Sequence, residues 1–373
     1  MLLIFALFLF GTAMFLFGLN LFAWLIATLW FKGEDLTQFD RPTGERFSQG
    51  DQASAEIAAV VDSFSRLKSV LKEVPLRQRT RALRTHMDGL FDDRDFSGFS
   101  FVPVDCNGVA SEWVLAPGSD GSRRTLYIHG GAFAMGSPRS HRTVTTRFAE
   151  MTGGAVLAVD YRLMPEHRRR QGIEDCRTAY QWMLEHGPTG PASADAVFVA
   201  GDSAGGNLTL SLVAWVRDAG LRAPDAAVAL SPLTDATLAS PSFKAHVHSD
   251  ALLGPLFGAM ARVPRYLMLW GGLIQTRINP RNPTVSPVYG DLSGLPPILV
   301  HVGEQEMLRD DARRYVNRAQ AAGSPVRLQT WDHVMHVWHI FNPELTEARQ
   351  ALDEIGRFLA PISPPAERPS RAD

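Results

Sequence analysis

The chain has 373 residues, with 37 Lys plus Arg against 39 Asp plus Glu and a formal net charge of −2. That length buries a full hydrophobic core, and the balanced charge excludes a general affinity for nucleic acid or acidic polymers. Two cysteines, Cys106 and Cys176, exclude a disulfide framework and fit free buried thiols; without C-x-x-C, H-x-x-x-H or a strand-borne G-x-G-x-x-G, no metal and no organic cofactor are expected.

In chain order, residues 1–31 come first. From Met1 to Phe31 no side chain is charged, and Leu, Ile and Phe dominate. About 20 apolar residues cross a bilayer, whereas a secretory signal starts basic, has a shorter apolar core and ends in a small-residue cleavage site. The expectation is an uncleaved single-pass membrane anchor with Trp24 and Trp30 at the interface. The alternative is a buried soluble helix, which rarely exceeds about 10–14 uninterrupted apolar residues. Lys32, Arg41 and Arg46 follow the span, and the positive-inside rule then puts the main body in the cytoplasm.

Residues 32–100 read as a helical linker and cap segment. "SAEIAAVVDSFSRLKSVL" repeats apolar residues at helical spacing, and "RQRTRALRTH" reads as a solvated helix face rather than a lipid-headgroup patch. From 101 to 361, strand-like runs ("SEWVLAP", "RRTLYIHG", "AVLAVDYR", "AVFVAGD", "AAVALS", "PPILVHVG", "PVRLQTWD") alternate with helical ones ("EDCRTAYQWMLEHG", "GGNLTLSLVAWVRDAG", "DDARRYVNRAQAAG"). This is an α/β pattern, a mainly parallel sheet covered on both faces. The Pro-rich tail, 362–373, is expected to be disordered. The one acceptable sequon, Asn207-Leu208-Thr209, lies in a predicted helix, so nothing argues for glycosylation.

Ligands on parallel sheets bind beyond the carboxyl ends of the strands, and the informative residues stand there. Gly201-Asp202-Ser203-Ala204-Gly205 follows "AVFVA" and matches G-x-S-x-G, a sharp strand-to-helix turn that exposes a serine oxygen. An ordinary helix-capping Gly turn is the bland alternative. "YIHGGAF", residues 127–133, ends another strand upstream, where an HGG-type loop supplies backbone N–H groups to an oxyanion. Each such donor contributes about 2.7–4 kcal/mol at the transition state. Gly130, Gly131 and Ala204 are the expected donors. An acid and a histidine must follow in that order; "ILVHVGEQEMLRDDARRY" offers carboxylates, and "TWDHVMHVWHIF" offers His333, His336 and His339.

In "HGGAF", "GDSAGG", "VDYRLMPEH" and "SPVYGDLSGLPPILVHVGEQEMLRDDARRY" the chain resembles the hormone-sensitive-lipase-like esterases of the α/β-hydrolase superfamily, the group that also contains arylacetamide deacetylase. The resemblance runs from about Met87 to Leu359. It implies the α/β-hydrolase fold with a helical cap inserted near 240–285. It also implies a triad of Ser203, Glu306 and His336, with Glu306 where the pattern more often has aspartate. Glu304 is then a less favoured acid, Asp310 the helix-starting aspartate, and His333 and His339 packing or rim residues. Asp202 is expected to anchor the elbow by hydrogen bonds. His129, Asp160 and Tyr161 are expected to support the oxyanion loop, or, for Asp160 and Tyr161, to be simple core polarity. Ala132 replaces a third glycine, and "SDALLGPLFGAMARVPRYLMLWGGLIQ" departs from the family where cap helices belong.

The function so implied is serine carboxylic-ester hydrolysis of short to medium acyl esters of hydrophobic alcohols, without cofactor. Amide deacetylation of small aromatic compounds uses the same triad and stays open. A non-catalytic small-molecule receptor is the third reading; such relatives have lost the catalytic histidine, which is present here.

Overall fold

The computed structural model describes residues 1–48, 50–62 and 73–362. Its strands are β1 (Glu45–Phe47), β2 (Ser100–Asp105), β3 (Ala110–Leu115), β4 (Asp120–Ile128), β5 (Gly154–Val159), the small ribbon β6 (His186–Gly187) and β7 (Gly190–Pro191), β8 (Ala196–Asp202), β9 (Ala226–Leu230), β10 (Ile298–Gly303) and β11 (Val326–Trp331). The helices that matter here are α1 (Leu2–Ile26), α2 (Leu76–Gly89), α3 (Arg142–Thr152), α4 (Arg169–Glu185), α5 (Ala204–Asp218), α6 (Ser242–Ala245), α7 (Leu253–Phe257), α8 (Arg265–Thr276), α9 (Arg309–Ala321) and α10 (Thr346–Leu359).

Every residue of β5, β8, β9 and β10 is buried. Such unbroken apolar runs belong to parallel strands covered on both sides. Nine strands form one sheet in the order β1-β11-β10-β9-β8-β4-β5-β3-β2. Neighbours from β1 to β5 run parallel, while β3 pairs antiparallel with both β5 and β2. Because side chains alternate across a strand, one set of residues (Leu126, Leu157, Val199) joins a core under α4, α5 and α9. The other set (Tyr127, Val156, Phe198) joins a core under α3 and α10. A mainly parallel sheet covered on both faces is thereby formed as the strand–helix alternation implies, in the α/β-hydrolase fold that the resemblance implies.

The chain leaves β4 for β5 on one side and returns to β8 on the other. This change of direction opens a crevice beyond the ends of β4 and β8, the place where parallel sheets bind ligands. The HGG loop follows β4, and the GDSAG turn carries the chain out of the end of β8.

Two expectations need correction. Residues 32–100 are not helical throughout: β1 pairs parallel with β11, Phe47 stacks on Trp331 at 4.5 Å, and Arg46 donates to Asp332 at 2.8 Å. A three-residue strand is too short to show a period. At 100 the segment enters β2, an edge strand that carries Pro103 where no central strand tolerates one. The "SAEIAAVVDSFSRLKSVL" helix is described as far as residue 62; its remainder, like the tail from 363 onwards, lies outside the described residues. The second correction concerns α2, which is more than a solvated face. Arg84 donates to Ala134 O (2.7 Å) and Met164 O (2.9 Å) and pairs with Glu166 (2.8 Å), binding α2 to the loops beside the crevice.

The cap is built from α6, α7 and α8. Among the described residues, α1 and the following turn Ala27–Phe31 touch it directly. Ala27, Phe31 and Leu269 form a small apolar cluster, Phe31 meets the Trp270 ring edge-on at 5.0 Å, Trp270 Nε1 donates to Ala23 O (3.0 Å), and Tyr266 donates to Asn20 (3.1 Å). At about 1.5 Å per residue, α1 alone is long enough to cross a bilayer, and its side chains such as Phe10, Phe17 and Phe22 are exposed.

Candidate active site

Ser203 stands between β8 and α5 with φ +53° and ψ −113°, a conformation costing about 1–3 kcal/mol for a residue with a side chain. The strain aims Oγ into the crevice instead of at the helix end, where it makes no capping bond. Gly205 shows why the turn is built of small residues. A Cβ there would collide with the carbonyl oxygens of Ile128 and His129, so only glycine lets α5 start this close to β4.

His336, in the loop after β11, places Nε2 2.8 Å from Ser203 Oγ and Nδ1 2.7 Å from Glu306 Oε2. Glu306, after β10, is fully buried, and its second oxygen accepts from Gly303 N–H (2.6 Å) and Ser231 Oγ–H (2.8 Å). All of the carboxylate's geometry is thus spent on holding one imidazole. Burial alone would push the His336 imidazole down. The charge and hydrogen bond of Glu306, with Asp250 and Asp202 further off, outweigh it and raise the group above its ordinary value. Glu304 lies elsewhere, with both oxygens on Arg313 at 2.8 Å. His333 sits at the rim 3.3 Å from Gln305, and His339 is packed between Trp338 and His301.

Asp202 joins elbow to oxyanion loop. Its Oδ1 accepts from Tyr127 O–H (2.9 Å) and from Gly130 N–H (3.0 Å), and His141 Nε2 lies 3.3 Å away. This corrects the expectation for Gly130: its N–H is already engaged by Asp202, so it is not a free oxyanion donor. The N–H groups of Gly131, Ala132 and Ala204 have no hydrogen bond to the described chain, and Ala132 and Ala204 line the cavity. His129 donates from Nδ1 to Gly130 O (2.7 Å) and stacks on Tyr161 at 4.4 Å, while Tyr161 O–H donates to His129 O (3.0 Å). Tyr161 therefore braces the loop. Asp160 does not: it is exposed, and among the described residues its side chain makes no hydrogen bond.

Three supporting residues escaped the sequence reading. Ser231, with φ +46° directly after β9, steadies Glu306 and also accepts Val337 N–H at 3.3 Å. Asp250 accepts Met307 N–H at 2.8 Å, next to Glu306. His141, at the start of α3, forms a buried ion pair with Asp202. Burial would neutralise both, yet each holds the other charged: Asp202 sits below the usual carboxylate range and His141 above the usual imidazole range. Ser231's signal was its place just after a strand; His141 carried none.

The pair makes a stability prediction with a definite sign. A raised His141 contributes fully below its unfolded value of about 6.5 and loses that contribution as pH rises through its folded value. His141→Gln is expected to cost about 3–5 kcal/mol in urea unfolding at pH 5.5, with a smaller gap to wild type at pH 9. A gap that widens with pH would contradict a charged His141.

Before Ser203 lies a cavity of about 490 Å³, walled by cap residues including Phe243, Phe257, Met260 and Met268 and by the base residues Phe133 and Met164. None of its described lining comes from residues 32–100. Among the described residues no group of three or more His, Cys, Asp or Glu is placed to hold a metal ion. Asn207 is fully buried with its amide donating to Leu233 O and Val285 O, so the sequon is out of reach. Cys106 and Cys176 are buried and unpaired.

A family model described as the alpha/beta hydrolase fold matches residues 125–340. An acetyl-hydrolase of Streptomyces hygroscopicus is 40% identical over 250 residues, 67% of this chain and 79% of that one. An esterase of Acinetobacter venetianus is 34% identical over 70% of this chain and 82% of its own. Among solved structures, an esterase from the bacterial hormone-sensitive lipase family is 34% identical with a TM-score of 0.70, covering 83% of this chain and 98% of that one. A double mutant of the esterase E40 is 35% identical at the same TM-score, covering 82% and 97%. With its family match extending from β4 to the loop of His336, the chain belongs to the α/β-hydrolases, in their hormone-sensitive-lipase-like esterase branch.

Proposed function

We propose that the protein hydrolyses carboxylic esters through an acyl-enzyme on Ser203. The carrying observation is the line from Ser203 Oγ to His336 to Glu306, at 2.8 and 2.7 Å. His336 Nε2 takes the serine proton as Oγ bonds to the ester carbonyl carbon, and the carbonyl oxygen becomes an oxyanion. Gly131, Ala132 and Ala204 N–H groups receive it. The C–O bond to the alcohol breaks as His336 returns the proton to the leaving oxygen. Water then repeats the sequence on the acyl-enzyme and frees the acid. Glu306 stays ionised throughout, fixing the tautomer in which Nε2 accepts.

For the substrate, short to medium acyl esters of hydrophobic alcohols suit the apolar cavity. Residues 1–31 act as a single-pass anchor, with the catalytic domain on the cytoplasmic side by the charges after the span. Packing of α1 on α8 supports substrate entry from the bilayer side, because α8 also lines the cavity through Met268 and Gly272. The anchor (1–31), the connecting segment (32–100) and the catalytic domain (101–361), with its cap near 240–285, are the working divisions.

A series of 4-nitrophenyl esters from acetate to dodecanoate tests this reading, with the matching anilides for the amide alternative. The expected result is a maximum of kcat/KM at short to medium chain length, with anilides turned over far more slowly. No turnover of any ester would support a receptor instead.

A further inference from the structure

Arg169 opens α4 and is buried, only 3% exposed, yet it lines the same cavity as Ser203. Among the described residues no Asp or Glu lies within ion-pair distance of it. Its hydrogen-bonding partner is a neutral amide: Nη2 donates to Asn207 Oδ1 at 2.7 Å. Its guanidinium lies over the Phe133 ring at 3.6 Å. Burial pulls it down to about 10, so it keeps its charge near neutrality.

A buried charge without a counter-charge is costly, and a cation–π contact offsets only part of that cost. The remaining guanidinium donors form a planar fork suited to a carboxylate. The position is close to the chemistry. Phe133 belongs to the oxyanion loop, and Asn207 follows Ser203 by one turn of α5, its N–H donating to Ser203 O at 3.0 Å. Arg169 and Ser203 line one cavity, so an ester held at Ser203 shares its chamber with the guanidinium.

We propose that Arg169 is a recognition site for an anionic oxygen group of carboxylate type on the substrate, so that the preferred esters are amphiphiles with apolar bulk in the cavity and a negative charge on Arg169. This rests on the ester-hydrolase reading and deepens it. A purely structural Arg169, clamping Asn207 under the elbow, would serve charged and neutral esters alike.

Two matched pairs, each an acid against its methyl ester, separate these roles. On the acyl side, 4-nitrophenyl hydrogen adipate is compared with 4-nitrophenyl methyl adipate. On the alcohol side, 4-carboxybenzyl butanoate is compared with its methyl-capped counterpart. In the full-length wild type, at least one pair is expected to favour the anion in kcat/KM by about 10- to 100-fold, the range of a hydrogen bond to a charged group. Arg169→Met should abolish that ratio, and Arg169→Lys should keep part of it. Wild-type enzyme favouring the neutral member of both pairs, or Arg169→Met lowering both members equally, overturns the proposal. Should Arg169→Met fail to fold, the wild-type ratios and the lysine variant decide. Hydrolysis of no member of either pair would take down the esterase reading, and this proposal with it.

Discussion

Ser203→Ala is expected to lower kcat/KM for a neutral nitrophenyl ester by about 10⁶-fold while leaving the protein folded. On the proposed mechanism the Ser203 hydroxyl oxygen is the atom that bonds to the substrate carbon. What survives, about 10³–10⁴ over water, comes from oxyanion donors and binding alone. Stability should hold because Ser203 Oγ caps no helix donor, so its removal forfeits no buried backbone bond. The strained φ of +53° is the same for alanine as for serine. Two measurements check this: steady-state rates, and covalent labelling by a fluorophosphonate, which should modify wild type once, at Ser203, and the variant not at all. Labelling elsewhere, or a loss below tenfold, would assign the nucleophile to another residue.

Glu306→Gln is expected to lower kcat by about 10⁴-fold, whereas Glu304→Gln should change it less than threefold. The glutamine fits, but its amide nitrogen presented to His336 Nδ1 would favour the tautomer with the proton on Nε2, facing Ser203, where it is of no use to a base. The pH profile carries a second signature. In the wild type His336 is raised above its ordinary value. The acid limb of kcat/KM, which reports the loss of the neutral imidazole, should therefore lie above about 6.5. Without the Glu306 charge, burial acts with less opposition and the limb should move to lower pH. An unmoved limb, or an equal loss from Glu304→Gln, would place the acid elsewhere.

Much of this was legible before any coordinates, and the reasons are local. β5, β8, β9 and β10 advertise themselves as unbroken apolar runs, and the motifs sit at their ends because parallel sheets put chemistry there. Glu306 and His336 needed the resemblance as well, since spacing alone offers several carboxylates and three histidines. What failed depended on contacts distant in sequence. Gly130 was misassigned because the competing acceptor, Asp202, lies 72 residues away. Asp160 and Tyr161 are adjacent, and only the exit direction of β5 decides which one faces the loop. β1 is three residues long, stabilised by β11 from the far end of the chain. His141 has no motif at all; its meaning comes from the carboxylate it meets.

The position of α8 has a consequence for how the enzyme is handled. One side of this helix meets Ala23 and Phe31, and the other forms part of the chamber wall. Trimming the chain to begin at Lys32, an obvious route to easier purification, would strip Trp270 of its partner carbonyl and uncover Leu269. The roof over the nucleophile would then rest on whatever detergent or solvent replaced its support. Chain-length profiles measured on such a shortened protein would describe a different chamber.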